Sequence, residues 1–337
     1  MPTAYAAMED ALHVASGGDG TWEATERLTG RDLQCVAASP DAPERVFVGT
    51  FESGLQRSTD GGESWARVGP DAMREAVTAV AVSPHDPAVV WAGTEPSRVY
   101  RSTDGGDSWE ERPGLTDLPS ADEWYFPPRP DTHHVRWIEP DPNEADRLYV
   151  GIEAGALVVT DDGGDTWTER PPGSRRDNHA MATHPDAPGR VYAAAGDGYA
   201  ESTDGGESWH HPQNGLGHRY CWSVQPDPVD ADLVLLSAAR GPRAAHSPPG
   251  ESYVYRRSRD GEWNPLGDGL LMGDGLPTGE GVLRPILSTT APRTFYALSN
   301  RGLYRSPDAG ASWVRADFDW PERFEEQAPA GLTVVDE

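Results

Sequence analysis

Ser58-Thr59-Asp60-Gly61-Gly62-Glu63-Ser64-Trp65 decides the fold of this 337-residue chain, because the octad recurs. Close copies run from Ser102 to Trp109 and from Ser202 to Trp209. Looser copies run from Thr160 to Trp167, Ser258 to Trp263 and Ser306 to Trp313. A worn copy, Ser16-Gly17-Gly18-Asp19-Gly20-Thr21-Trp22, stands near the start. Seven copies at a period in the forties imply seven similar supersecondary units, arranged as a propeller or a solenoid.

The clearest unit runs from Val77 to Arg112. Val77 to Val82 is a β-branched run that stops at the turn cluster Ser83-Pro84-His85-Asp86-Pro87. Val89 to Gly93, Val99 to Ser102 and Ser108 to Arg112 follow as three further strands, the last two joined by the Asp104-Gly105-Gly106-Asp107 turn. Four antiparallel strands per unit make a propeller blade. Other inner strands are expected to open near Leu33, Val135, Ala180, Tyr220 and Val282. The first unit lacks an inner strand, and Leu332-Thr333-Val334-Val335 at the far end supplies one. The expectation is a single all-β domain, a seven-bladed propeller closed by residues 332–335. Its blades are 1–28 with 331–337, then 32–69, 77–113, 134–171, 178–212, 220–266 and 281–316. Closure hides strand edges that would otherwise pair with other chains.

The octad has a local physical reading. Its aspartate accepts backbone N–H bonds within a tight turn, and the glycines permit positive φ. Its tryptophan packs as an apolar plug between blades. The pairs Asp19/Trp22, Asp60/Trp65, Asp104/Trp109, Asp162/Trp167, Asp204/Trp209, Asp260/Trp263 and Asp308/Trp313 are therefore structural. One aspartate at the same turn of each blade is a repeat, not a catalytic set.

Composition narrows the class. Acidic residues number 55 against 28 basic ones, giving a net charge of −27, and every basic residue is arginine. Phosphate binding needs a positive stripe, so a general nucleic-acid grip is not expected. An acidic surface without lysine suits a protein of a high-salt cytoplasm, where screening removes self-repulsion. No apolar run long enough to span a membrane occurs, and Met1-Pro2-Thr3-Ala4-Tyr5 lacks the features of a secretory leader. The two cysteines, Cys35 and Cys221, fall in non-adjacent units and read as buried free thiols.

The octads at Ser58, Ser102 and Ser202 match Ser-x-Asp-x-Gly-x-Thr/Ser-Trp, and the chain resembles the Asp-box (bacterial neuraminidase repeat) propellers over essentially its whole length. That group includes sialidases, other glycoside hydrolases, sortilin-type receptor domains and photosystem assembly factors. The resemblance implies that the boxes lie between strands three and four, on the face away from any site. It also implies, for a sialidase, three carboxylate-binding arginines, a tyrosine–glutamate nucleophile pair, an acid/base aspartate and an Arg-Ile-Pro element. No such element precedes Trp22, and Arg284-Pro285-Ile286 is only a scrambled echo. Other glycoside chemistry needs two carboxylates at a set separation, and 55 acidic residues do not single out a pair.

A propeller site lies at the ring centre, on the face built by the loops from strand four to the next strand one and from strand two to three. The longest such loop, Gly114 to His133, holds Trp124-Tyr125-Phe126, aromatics that either stack on a ligand or pack on the blade top. The inner strands open with His133-His134-Val135-Arg136, with Arg175-Arg176-Asp177-Asn178-His179, and with His218-Arg219-Tyr220-Cys221-Trp222. Aligned on Pro140, Pro185 and Pro226, they make His134, His179 and Tyr220 equivalent, with Gln34 and Thr78 in blades two and three. The insertion Ala239 to Ser252 adds Arg240, Arg243 and His246.

The candidate ligand-binding set is therefore His133, His134, Arg136, Arg175, Asn178, His179, His218, Arg219, Tyr220, Trp222, Trp124 and Arg243. A polar pocket, a water-filled channel and a metal held by His134 and His179 compete to explain it, and no cofactor is expected. The leading reading is a soluble, monomeric binding propeller for a small polar ligand, a glycan or a protein segment. A glycoside hydrolase or lyase and an assembly scaffold are the alternatives. The acidic composition carries its own test: the melting temperature should rise between about 0.1 and 3 M salt as the Debye length shrinks, and a flat profile would remove the high-salt reading.

Overall fold

The computed structural model describes residues 1–18, 21–73, 76–257, 259–267 and 275–336. Asp19 and Ser258 of the weaker octads lie outside the described residues. Seven antiparallel sheets are arranged as the blades of a seven-bladed β-propeller, and almost no helix accompanies them. The inner strands are Leu33–Ser39, Ala76–Val82, Val135–Pro140, Asn178–Thr183, Tyr220–Pro226, Ile286–Ala291 and Gly331–Asp336. Neighbouring inner strands lie beside one another all the way round, with Gly331–Asp336 between Ile286–Ala291 and Leu33–Ser39. That last strand pairs with Pro2–Ala7 from Pro2↔Asp336 to Ala7↔Gly331, so the two ends of the chain share one blade.

Two strands depart from expectation. The inner strand of the seventh blade opens at Ile286, not Val282. Asn300 Oδ1 accepts the Leu283 N–H at 2.9 Å, and Pro285 has no N–H to offer a ladder, so the approach stays outside the sheet. The fifth blade has three full strands, Asn178–Thr183, Val191–Ala195 and Gly198–Ser202, and its fourth is reduced to a Glu201↔His210 bridge. Pro212 follows closely, and Trp209 N–H is drawn to Pro172 O at 2.9 Å.

The octad turns share one construction. In the first hydroxyl position, Ser58, Ser102, Thr160, Ser202 and Ser306 each accept the N–H of the glycine four residues on, at 2.8 to 2.9 Å. Each aspartate takes the N–H of the residue before tryptophan on one oxygen and that residue's hydroxyl on the other. Those hydroxyls hold Asp60, Asp104, Asp162 and Asp204 at a pKa of about 2. Gly61 and Gly62 sit at φ 70° and 95°, where a side chain would be strained.

The tryptophans then bolt the blades together. Seven apolar clusters lie between successive blades, and each contains one octad tryptophan. Trp209 joins Tyr149 and Leu157 of the fourth blade to Val191 and Ala200 of the fifth. Trp22 joins Ala4 and Ala15 of the first blade to Tyr296 and Leu298 of the seventh. Ser202→Ala tests the turn. It leaves the Gly206 N–H buried without its 2.9 Å acceptor, a loss of about 1–3 kcal/mol, read from urea melts of the intact chain.

Candidate functional site

Five inner strands carry a β-bulge at the same level near the pore mouth. Pairing skips from Leu33 to Cys35, Val77 to Ala79, Val135 to Trp137, Asn178 to Ala180, and Cys221 to Ser223. The extra residues, Gln34, Thr78, Arg136, His179 and Trp222, are re-aimed by the bulge toward the axis. The structure thus pairs Arg136 and Trp222 with His179, where the proline alignment paired His134 and Tyr220 with it. The cause is a doubled proline. Asp141 N–H bonds Arg147 O and Asp227 N–H bonds Leu233 O, as Ser83 N–H bonds Val89 O, so Pro142 and Pro228 are the counterparts of Pro84. Pro140 and Pro226 still belong to the strands.

The mouth is a cavity of about 530 Å³ lined by Gln34, Thr78, His134, Arg136, Glu153, Trp222, His246 and Arg284, with Glu9, Asp10 and Asp32 among its acidic lining. Its floor is built on the Trp222 ring. Arg284 stacks on that ring at 4.2 Å and Arg136 at 4.8 Å, within cation–π range. His179 lies against it at 4.3 Å, and His246 meets it edge-on at 4.7 Å. Arg284 also donates to Pro329 O at 3.1 Å, and its second nitrogen lies 2.6 Å from His246 Nδ1. His246 Nε2 lies 3.0 Å from the Tyr220 hydroxyl. Glu153 Oε2 lies 3.0 Å from His134 Nε2 and 3.6 Å from Arg136 Nε. His179 Nδ1 donates to Cys221 O at 2.6 Å, and its Nε2 faces Asp177 Oδ2 at 3.7 Å.

The remaining candidates scatter. His133 packs edge-on to Trp124, which is buried in the cluster between blades three and four. Tyr125 is exposed, whereas Phe126 lies edge-on to His134 at 4.6 Å in the mouth. Arg175 bonds Tyr199 O, and Asn178 bonds Arg175 O, both at 2.8 Å. His218 stacks on Tyr253 at 4.1 Å. Arg219 and Arg243 are exposed. The groups the sequence reading missed are Arg284, Glu153 and Asp177. Arg284 was set aside with the scrambled Arg-Pro-Ile, and the two carboxylates stand in loops that no repeat marks.

Electrostatics sort these groups. Burial would raise Glu153, yet the His134 hydrogen bond, with His179 and Arg136 nearby, holds it below the usual carboxylate range. Burial raises Asp177, with the Glu153 charge acting in the same direction. Burial lowers His179 and raises Tyr220. Burial and then the Arg284 charge push His246 down to about 3, so it is neutral. Burial and then the Arg136 charge bring Arg284 to about 10. Two guanidiniums therefore flank the floor's indole beside the Glu153 carboxylate, within a mouth whose lining also carries Glu9, Asp10 and Asp32.

No protein-family model matches the sequence, and no curated protein matches it. Solved structures do resemble it in fold. "YCF48 bound to D1 peptide" superposes with a TM-score of 0.62 at 16% identity, covering 96% of this chain and 99% of the other. An ancestral GH74 enzyme superposes at 0.61 and 18% identity over 90% of this chain, which spans only 38% of that enzyme's length. The WD40 propeller domain of Doa1 superposes at 0.59 and 12% identity, covering 90% and 87% of the two chains. At these identities the likeness is one of fold.

Beneath the floor the axis continues as a second cavity of about 490 Å³, lined by apolar inner-strand residues and by Cys35, His179 and Glu139. Burial pushes the Cys35 and Cys221 thiols up to about 12, and both are free. Burial also raises Glu139 to about 7, although Trp137 Nε1 and the Thr183 N–H and hydroxyl all donate to it. A carboxyl raised in the folded state binds its proton more tightly there than when unfolded. Its contribution is therefore most favourable below pH 4.5 and is lost as pH rises toward about 7. Glu139→Gln should raise the melting temperature at pH 8 and leave it nearly unchanged at pH 4.5. An equal effect at both pH values would contradict the shifted titration.

Proposed function

We propose that this chain is an Asp-box-type binding propeller that holds an extended protein segment at its mouth, with an anionic group of that segment on the Arg136–Trp222–Arg284 floor. The observation that carries the reading is that floor: two guanidiniums stacked on one indole, with the Glu153 carboxylate beside Arg136. Arginine forks suit carboxylates in charge-assisted hydrogen bonds, and a partly desolvated site strengthens them. A solved propeller of the same extent, YCF48 bound to D1 peptide, supports a protein segment as the ligand class. The lysine-free acidic surface belongs to the same reading, as an adaptation to high salt.

A glycoside-active enzyme is the second reading. It is favoured by Glu153 and Asp177, whose carboxyls are displaced in opposite directions beside one pore wall. Two carboxyls in unlike environments at one site are a common arrangement for acid–base chemistry. Turnover of an aryl-glycoside panel that is abolished by Glu153→Gln would favour it over the binder.

The binding reading is tested with a peptide library displayed with free and with amidated carboxyl termini. Free-acid or acidic-side-chain peptides should be retained. Arg136→Gln and Arg284→Gln, checked for folding by circular dichroism, should each weaken binding about 10- to 100-fold, as expected for a lost hydrogen bond between charged groups. Retention of neutral peptides with unchanged affinity in both variants would overturn it.

A further inference from the structure

Beside the floor, on the wall between blades four and five, three side chains converge: Glu153, Asp177 and His179. One ligand atom from each lies within 4.8 Å of the other two. The chain delivers them by separate routes. Glu153 follows the strand Leu148–Ile152, Asp177 precedes the inner strand Asn178–Thr183, and His179 is that strand's bulge residue.

His179 is the informative member. Its side chain is fully buried, and Nε2 has no hydrogen-bond partner. A buried polar atom left unpaired is costly and calls for an explanation. Its other nitrogen contacts the Cys221 carbonyl at 2.6 Å. A carbonyl only accepts, so Nδ1 carries the proton and Nε2 presents a lone pair. That lone pair faces Asp177 Oδ2, 3.7 Å away, with which a carboxylate and an unprotonated nitrogen cannot bond directly.

The two carboxylates are held in the same manner. Asp177 Oδ1 accepts the Ala154 N–H at 2.8 Å, which leaves Oδ2 turned toward the imidazole. Ala154 adopts φ 52° to place that N–H. Gly196 makes the space, since a Cβ there would stand 2.0 Å from Asp177 Oδ2. His134 and Arg136 both lean on Glu153 Oε2, leaving Oε1 to coordinate. Each potential ligand thus has an outer partner that orients it, as metal ligands commonly do.

The geometry points to a divalent first-row transition cation, such as Mn²⁺ or Zn²⁺, bound by Glu153, Asp177 and His179 at the pore wall. One imidazole and two carboxylates suit such an ion better than Ca²⁺, which prefers an all-oxygen shell. A tetrahedral cation bonded at about 2.1 Å spaces its ligands by roughly 3.4 Å, so side-chain shifts of about 1 Å close the set. The charges of ion and carboxylates cancel, and the remaining positions are left for water or a ligand atom. The site adjoins the floor through Arg136 and Trp222, yet it can be tested apart from peptide capture, because neither these nor Arg284 contributes a ligand atom.

The test uses the full chain, stripped with EDTA and titrated with Mn²⁺, Co²⁺ and Zn²⁺ in high salt with excess Mg²⁺, which saturates surface carboxylates. The expected result is one tight equivalent, a rise in melting temperature, and a single imidazole nitrogen coupled to Mn²⁺ in pulsed electron paramagnetic resonance. Asp177→Asn and Glu153→Gln should each weaken affinity by about tenfold or more, and His179→Gln should remove the nitrogen coupling. Peptide retention in EDTA distinguishes this site from the floor. Absence of a tight equivalent in the wild-type chain overturns the proposal, and so does a wild-type complex lacking imidazole coupling. An affinity unchanged in folded Asp177→Asn and Glu153→Gln does the same, assigning the ion to the acidic surface.

Discussion

The pairing of Gly331–Asp336 with Pro2–Ala7 is the constraint on which the rest depends. A ring of blades has a defined axis only when it is closed, and every group at the mouth is defined relative to that axis. Ala330, just before the closing strand, lines both axial cavities, and Gly331, Leu332 and Thr333 of the strand line the lower one. Arg284, from the seventh blade, reaches Pro329 on the approach to this strand. Opening the ring would therefore separate one arginine of the floor from the backbone that positions it.

The fold was legible because its determinants are local. An octad turn satisfies its own polar groups within eight residues, as Ser202, Asp204, Gly206 and Ser208 do, so the motif is written contiguously. Its tryptophan needs only a neighbouring blade to pack against, and in a ring every blade has one. The site was legible only in part because it is assembled across blades. Arg136, His179, Trp222, His246 and Arg284 come from four different units, and nothing in their local sequence records the meeting. Alignment by proline came close, then failed by two residues where Pro140-Asp141-Pro142 and Pro226-Asp227-Pro228 offer two stops in a row. Only the N–H bonds of Asp141 and Asp227 show which proline lies past the turn.

The bulge explains why an inner strand can serve both packing and the pore. In an unbroken strand, neighbouring residues point to opposite faces, and inner-strand side chains pack into the neighbouring blades. One unpaired residue escapes that alternation. Placing it at the same level in five blades turns five side chains toward the axis without moving the core residues on either side. The side chain at that level then differs freely, as Gln34, Thr78, Arg136, His179 and Trp222 do, because it answers to the pore and not to the ladder.

The acidic surface and the cationic floor act on a ligand at different distances. An anion approaching a body of net charge −27 is repelled over a Debye length of about 10 Å at 0.1 M salt, and over only about 3 Å at 1 M. The contacts proposed at the floor would be short and partly desolvated, so the same salt would screen them far less. Salt therefore removes the barrier to entry faster than it weakens the grip. The acidic lining from Glu9, Asp10 and Asp32 adds a second filter, since a segment that carries a positive group beside its anionic one is repelled least at the rim. Under the proposed binding reading, such a rim would favour mixed-charge segments over simple polyanions, and most strongly at low salt, where its repulsion is least screened.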